Sequence, residues 1–111
     1  MTEVLIIGGG IIGLSIAREL HKRKAGKITI LERGKIGKEA SHAAAGMLAP
    51  NAETEKLDGF YRFCDESNKL YSAFCEELFD ETGVDVELNK SGTLYLALTE
   101  NDSEEIRKRF E

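Results

Sequence analysis

The chain has 111 residues, 41% of them hydrophobic, with 15 basic and 20 acidic side chains and a formal net charge of -5. That is the size and composition of one ordinary globular domain, and it excludes a disordered or collagen-like chain. An acidic balance without a long Lys/Arg run gives no general attraction to a phosphate backbone or an anionic bilayer, so neither nucleic acid nor a membrane is expected as a partner.

The first apolar stretch, Val4 to Leu14, is about half as long as a membrane-spanning helix needs to be, and four glycines interrupt it. Glu3 precedes it where a secretory leader would have Lys or Arg, which points to a cytoplasmic protein. Within it, Glu3-Val4-Leu5-Ile6-Ile7 reads as a strand buried on both faces of a parallel sheet, stopped by Gly8. From Ile11 to Lys24 the apolar positions Ile12, Ser15/Ile16 and Leu20 recur at helical spacing until Gly26. Lys27 to Glu32 is a second strand, which completes a βαβ unit.

Arg33 to Asn51 sustains neither period and holds three glycines, the run Ala43-Ala44-Ala45-Gly46 and the single proline, Pro50. It predicts an ordered loop with one short helix. Leu57 to Thr82 repeats its apolar residues at three and four, with Gly83 placed as a C-terminal cap. Val84–Leu88 and Thr93–Leu98 predict an antiparallel hairpin around Asn89-Lys90-Ser91-Gly92. Thr99 and Asp102 can cap a last helix running to Glu111. No stop signal ends that helix, so the chain is expected to be cut from something longer.

Cys64 and Cys75 lie in the long predicted helix, where eleven positions at about 1.5 Å each separate them by roughly 16 Å, beyond disulfide reach. Both point to one face and read as small buried hydrophobes. His21 and His42 are far from either cysteine in sequence, and no spacing suggests a metal site.

The chemistry lies in Gly8-Gly9-Gly10-Ile11-Ile12-Gly13, which fits G-x-G-x-x-G. That pattern alone is a weak signal, but here it joins a strand to a helix inside a βαβ unit, and Glu32 ends the second strand nineteen positions after Gly13. Gly8 permits the tight turn, Gly10 lacks a β-carbon that would block a pyrophosphate, and Gly13 lets helix and strand approach. A phosphate would meet the Ile11 and Ile12 N–H groups and the positive end of the helix dipole. Glu32 would accept from ribose hydroxyls and repel a 2′-phosphate, favouring an ADP half over NADP. NAD and FAD share this fingerprint. A NAD domain should continue through alternating helices and parallel strands, whereas this chain turns to a small-residue loop, a long helix and a hairpin. A stand-alone adenine-dinucleotide-binding module and a NAD-dependent dehydrogenase fragment remain the alternatives.

Val4 to Gly13, the pair Glu32-Arg33, and above all Ser41-His42-Ala43-Ala44-Ala45-Gly46-Met47-Leu48 resemble the amino-terminal part of the D-amino-acid-oxidase-type flavoenzymes, specifically the glycine oxidases of thiamine biosynthesis. The resemblance extends over the whole chain, including Gly83-Val84-Asp85 and the Ser91-Gly92 turn. It implies FAD as cofactor, with Glu32 and Arg33 at the adenosine ribose, Ala40 and Ser41 near the pyrophosphate, and the backbone of Ala45, Gly46 and Met47 approaching the flavin. Minimal side chains in that run would let backbone donors reach a flat ring. The implied fold is α/β, a Rossmann-like βαβ unit followed by a long helix and the first hairpin of a substrate domain, and it is incomplete. FAD binding would occupy residues 1–83 and the substrate domain would begin with 84–111. The implied reaction passes hydride from the α-carbon of a small amine or amino acid such as glycine to FAD and then to oxygen, giving an imine and hydrogen peroxide. It needs no protein acid or base, so no catalytic residue is expected in this chain. A substrate-holding arginine and a second glycine-rich segment would lie outside it. The chain alone is expected to be inactive, and a homo-oligomer is expected because its strand edges would lack partners.

Overall fold

The computed structural model describes residues 3–53, 56 and 58–110. Two compact units divide the chain after Met47.

The first unit is built on strand β1 (Glu3–Ile7), helix α1 (Ile11–Lys22) and strand β2 (Lys27–Leu31). The strands pair in parallel with Glu3 opposite Lys27 and Ile7 opposite Leu31. Lys27 Nζ also lies 3.4 Å from Glu3 Oε1, an ion pair across the first rung. Val4, Ile6, Ile28 and Ile30 are half-buried, and α1 packs on both strands. Leu5, Ile7 and Leu31 on the opposite face are 58%, 85% and 52% exposed. Burial on both faces was expected. One helix covers only one face of a two-stranded sheet, so alternate residues stay open.

The same geometry rotates α1 relative to its apolar pattern. Gly13 faces the sheet so closely that a β-carbon on it would sit 2.0 Å from the Gly8 carbonyl oxygen and 3.3 Å from Ile6 Cγ2. Leu14, Ala17 and Leu20 are half-buried, whereas Ile12 and Ile16, expected on the inner face, are exposed. Close approach at Gly13 outweighs the burial of two isoleucines. The helix ends where Arg23 donates to the Glu19 carbonyl and Lys24 turns left-handed at φ 54°.

A short helix, α2 (Ala40–Ala43), falls within the loop predicted after β2. In the second unit, α3 (Pro50–Glu53) precedes the long helix α4 (Gly59–Thr82). Asp58 caps α4 through its Oδ1, which accepts from Phe60 N–H at 2.9 Å and Tyr61 N–H at 3.0 Å. The expected start at Leu57 lies outside the described residues. Gly83, at φ 70°, closes the helix by donating to the Phe79 carbonyl, as a left-handed C-terminal cap does. Tyr61 reaches α3, donating to Asn51 Oδ1 at 2.7 Å. Cys64 and Cys75 are free and half-buried on α4.

Residues 84–98 do not form the expected hairpin, and β1 and β2 are the strands of the described residues. Glu87 adopts φ 54°, which breaks an extended arm in its middle. The Asp85 and Asn89 carboxyl and amide oxygens instead accept from the N–H groups of Glu87 and Ser91, each two residues on. An isolated two-stranded hairpin is marginal in water, and local side-chain turns win where no further strand flanks it. Helix α5 (Glu100–Phe110) follows. Asp102 Oδ2 accepts from Leu98 and Thr99 N–H, while Thr99 Oγ1 accepts from Asp102 N–H, forming the expected reciprocal cap. No helix among the described residues is long and apolar enough to cross a membrane.

Candidate functional site

The glycine turn joins β1 to α1 in the first unit. Gly8 takes φ +106°, which only glycine adopts without strain, and donates to the Leu31 carbonyl at 2.8 Å. The chain then enters α1 through Gly10, an N-cap without a side chain. Its first-turn N–H groups, including that of Ile12, have no intrahelical acceptor and carry the positive end of the dipole.

Glu32 follows β2 directly. Its Oε2 accepts from Gly9 N–H and its Oε1 from Gly34 N–H, both at 2.8 Å. These two donors, Gly9 foremost, hold the Glu32 carboxyl below the ordinary value of 4.5, with the Arg33 guanidinium adding a smaller pull. Expected to meet ribose hydroxyls, Glu32 thus also ties the turn to the end of β2. Each carboxylate oxygen keeps a further lone pair for a ligand hydroxyl.

Ser41 stands at the helix mouth, its Oγ accepting from Ile11 N–H at 2.9 Å, so of the two N–H groups expected to meet a phosphate that of Ile11 is already taken by a side chain. The structure therefore joins Gly8, Gly10, Ile11, Gly13, Glu32 and Ser41 in one constellation. Arg33 and Ala40 are exposed beside it in sequence, with no described bond to the turn. Ala45, Gly46 and Met47 are exposed beyond α2, and Gly46 takes φ +76°. Sequence reading gave no role to Gly9, which is buried, donates to Glu32 and accepts from Gly37 N–H at 2.8 Å. A β-carbon there would lie 3.2 Å from Ile36 Cγ1 and 3.3 Å from Glu32 Cβ. Gly34 and Gly37, already visible as glycines in the loop, were its signal.

Groups of three or more His, Cys, Asp or Glu placed to hold a metal do not occur among the described residues. What remains is a turn of minimal bulk at a helix N-terminus, flanked by a carboxylate, which is the arrangement of a dinucleotide-binding βαβ unit.

The profile of the FAD dependent oxidoreductase family (DAO) matches residues 3–111. The chain belongs to that family. It is 45% identical over 105 residues to the glycine oxidase of Bacillus licheniformis, covering 94% of this chain and 28% of that protein. Against the Bacillus subtilis glycine oxidase the identity is 40%, over 96% of this chain and 28% of the relative. A bifunctional protein ThiO/ThiG of Synechocystis is 46% identical over 84% of this chain and 14% of its own length. The crystal structure of glycine oxidase from Geobacillus kaustophilus superposes with a TM-score of 0.90 at 36% identity, covering 99% of this chain and 30% of that one. The chain thus spans under a third of the length of these relatives.

Proposed function

We propose that this chain supplies the FAD-binding portion of an amine oxidase acting on glycine or a similar small amino acid, in the service of thiamine thiazole synthesis. The single observation that carries the reading is the glycine turn at the mouth of α1 with the Glu32 carboxylate on Gly9 N–H, 2.8 Å away. Family membership and the glycine oxidase relatives favour FAD over NAD. The chain's own layout does so too, because a long helix and irregular segments follow β2 where a NAD domain would add parallel strands.

The residues fit the cofactor. Gly10 offers no side chain where the pyrophosphate would approach, the Ile12 N–H and the α1 dipole favour its charge, and Ser41 keeps its hydroxyl proton to donate. Glu32 and Arg33 would face the adenosine ribose, with Ala40 beside the phosphates. Ala45, Gly46 and Met47 would bring backbone to the flavin, and the left-handed Gly46 fits a segment that bends around a flat ring. When bound, FAD supplies the acceptor for hydride from the amine α-carbon and passes the electrons to oxygen. The FAD portion would extend over residues 1–83 and the substrate domain would begin at 84. The protein that carries the chain would work in the cytoplasm as a homo-oligomer.

The test is to purify that protein and record its flavin spectrum and its peroxide release with glycine. Bound FAD and glycine-dependent peroxide are expected. A colourless protein that retains NAD instead would overturn the reading.

A further inference from the structure

Residues 33–41 lie across the glycine turn and are attached to it at successive points. At their root Glu32 accepts from Gly9 N–H and Gly34 N–H. Midway, Gly37 N–H donates to the Gly9 carbonyl at 2.8 Å, and a β-carbon on Gly9 would press on Ile36 Cγ1 at 3.2 Å. At the far end Ser41 Oγ takes the Ile11 N–H, thirty positions away in sequence. Gly10 is constrained by the same contact, because a β-carbon on it would lie 3.1 Å from Ser41 Oγ.

We propose that residues 33–41 form a strap over the glycine turn, that Ser41 is its pin, and that Ser41 serves dinucleotide binding as a positioning residue by ordering the strap before the ligand arrives. The proposal rests on the nucleotide-binding reading above. Ordering a segment during binding subtracts its lost conformational freedom from the affinity, and a segment already fixed avoids that loss. The root and middle of the strap are fixed by a carboxylate and by backbone. Its far end depends on one hydroxyl, so the strap's order should answer to Ser41. Gly10 then has a second reason to be glycine: a methyl there would press on Ser41 Oγ and strain its bond to the Ile11 N–H.

The experiment uses the cofactor-stripped protein that carries this chain, with ADP as the probe, and compares wild type, Ser41→Ala, Ser41→Thr, Gly10→Ala and the Gly10→Ala/Ser41→Ala pair. Amide hydrogen exchange and ADP titration are read together. Ser41→Ala should speed exchange at Ile11 and also at Gly37, and weaken ADP by about three- to tenfold, the range of one hydrogen bond. Ser41→Thr should restore both. Gly10→Ala, whose methyl presses on Ser41 Oγ, should speed exchange at Ile11 and Gly37 less than Ser41→Ala does and add nothing to it in the pair, whereas its ADP affinity should fall further because the methyl also stands where the pyrophosphate would approach. Unchanged exchange at Gly37 in Ser41→Ala would overturn the pin, whether or not ADP affinity falls. A wild-type protein that ignores ADP, while Gly37 exchange still follows Ser41, would overturn the positioning role and the nucleotide reading but leave the strap. Exchange in α4 serves as the control for global unfolding.

Discussion

The glycine turn and the segment from α4 to α5 are held in opposite ways. At the turn, Gly9 and Ile11 give their N–H groups to side chains 23 and 30 positions away. From Asp58 onward, the capping and turn bonds span two to four positions: Asp58 to Phe60 and Tyr61, Asp85 to Glu87, Asn89 to Ser91, and Thr99 with Asp102. Short-range bonds make an element whose shape its own residues dictate. Long-range bonds make a site, because they converge groups that the sequence keeps apart. In the smaller unit such bonds gather the candidate site around the glycine turn.

The strongest way to break the comparison is Gly13→Ala. Its methyl would fall 2.0 Å from the Gly8 carbonyl oxygen, a backbone atom that cannot turn aside. The loss should exceed the ~3 kcal/mol typical of core overpacking. Hydrogen exchange should rise across residues 4–7 and 27–31 and stay unchanged in the middle of α4. An equal rise in α4 would show that the two regions do not differ in what holds them.

Gly10→Val should come next, and its effect is on the ligand. A branched side chain would occupy the approach to the α1 N-terminus and collide with Ser41, so the purified protein should lose its flavin absorbance. A folded variant that kept stoichiometric FAD would sink the nucleotide assignment.

Acid should then loosen each region through one carboxylate of its own. The Gly9 and Gly34 N–H groups hold Glu32 below 4.5, so the tie is fully present above that pH and is lost as pH falls through the lowered value. Asp102 is likewise held below 3.8, by the Thr99 hydroxyl first and then by the Leu98 and Thr99 N–H groups. On acidification, exchange at Gly9 and Gly34 should rise as Glu32 protonates and exchange at Thr99 as Asp102 protonates, each below the ordinary value of its carboxyl. Glu32→Gln should flatten the acid response at Gly9 and Gly34, leave that at Thr99, and weaken ADP roughly tenfold.

The smallest effects belong to the caps of α4. Gly83→Ala forces a β-carbon into φ 70° and should cost about 1 kcal/mol. Asp58→Ala removes the acceptor of two N–H groups for about the same loss. Thermal melting would measure both, and neither should change FAD content. A change in flavin content with either variant would mean that the local and long-range regions are coupled.

What was legible in the sequence follows this division. The G-x-G-x-x-G turn, the strands around α1, the Gly83 cap and the Thr99/Asp102 box were readable because each depends on residues within one or two turns of chain. Glu32 could be placed near the turn from the βαβ spacing, and the residues from Ser41 to Leu48 carried the family resemblance. What the sequence could not show was any outcome that depends on a neighbour across space. Ile12 and Ile16 matched a helical face, yet Gly13 turned that face away from the sheet. Val84–Leu88 and Thr93–Leu98 had strand composition, yet a strand exists only against a partner, and Asp85, Glu87 and Asn89 settled into turns. By itself the sequence determined the three longer helices, the Gly83 and Thr99/Asp102 caps, the glycine turn and the family, while the Asp58 cap, the Pro50–Glu53 helix and the end of α1 at Lys22 went unread. The tertiary structure decided that Gly9 is a hub, that Glu32 binds backbone on both oxygens, and that Ser41 reaches Ile11. Convergence of groups 23 and 30 positions apart is a property of the folded chain, which no local spacing encodes.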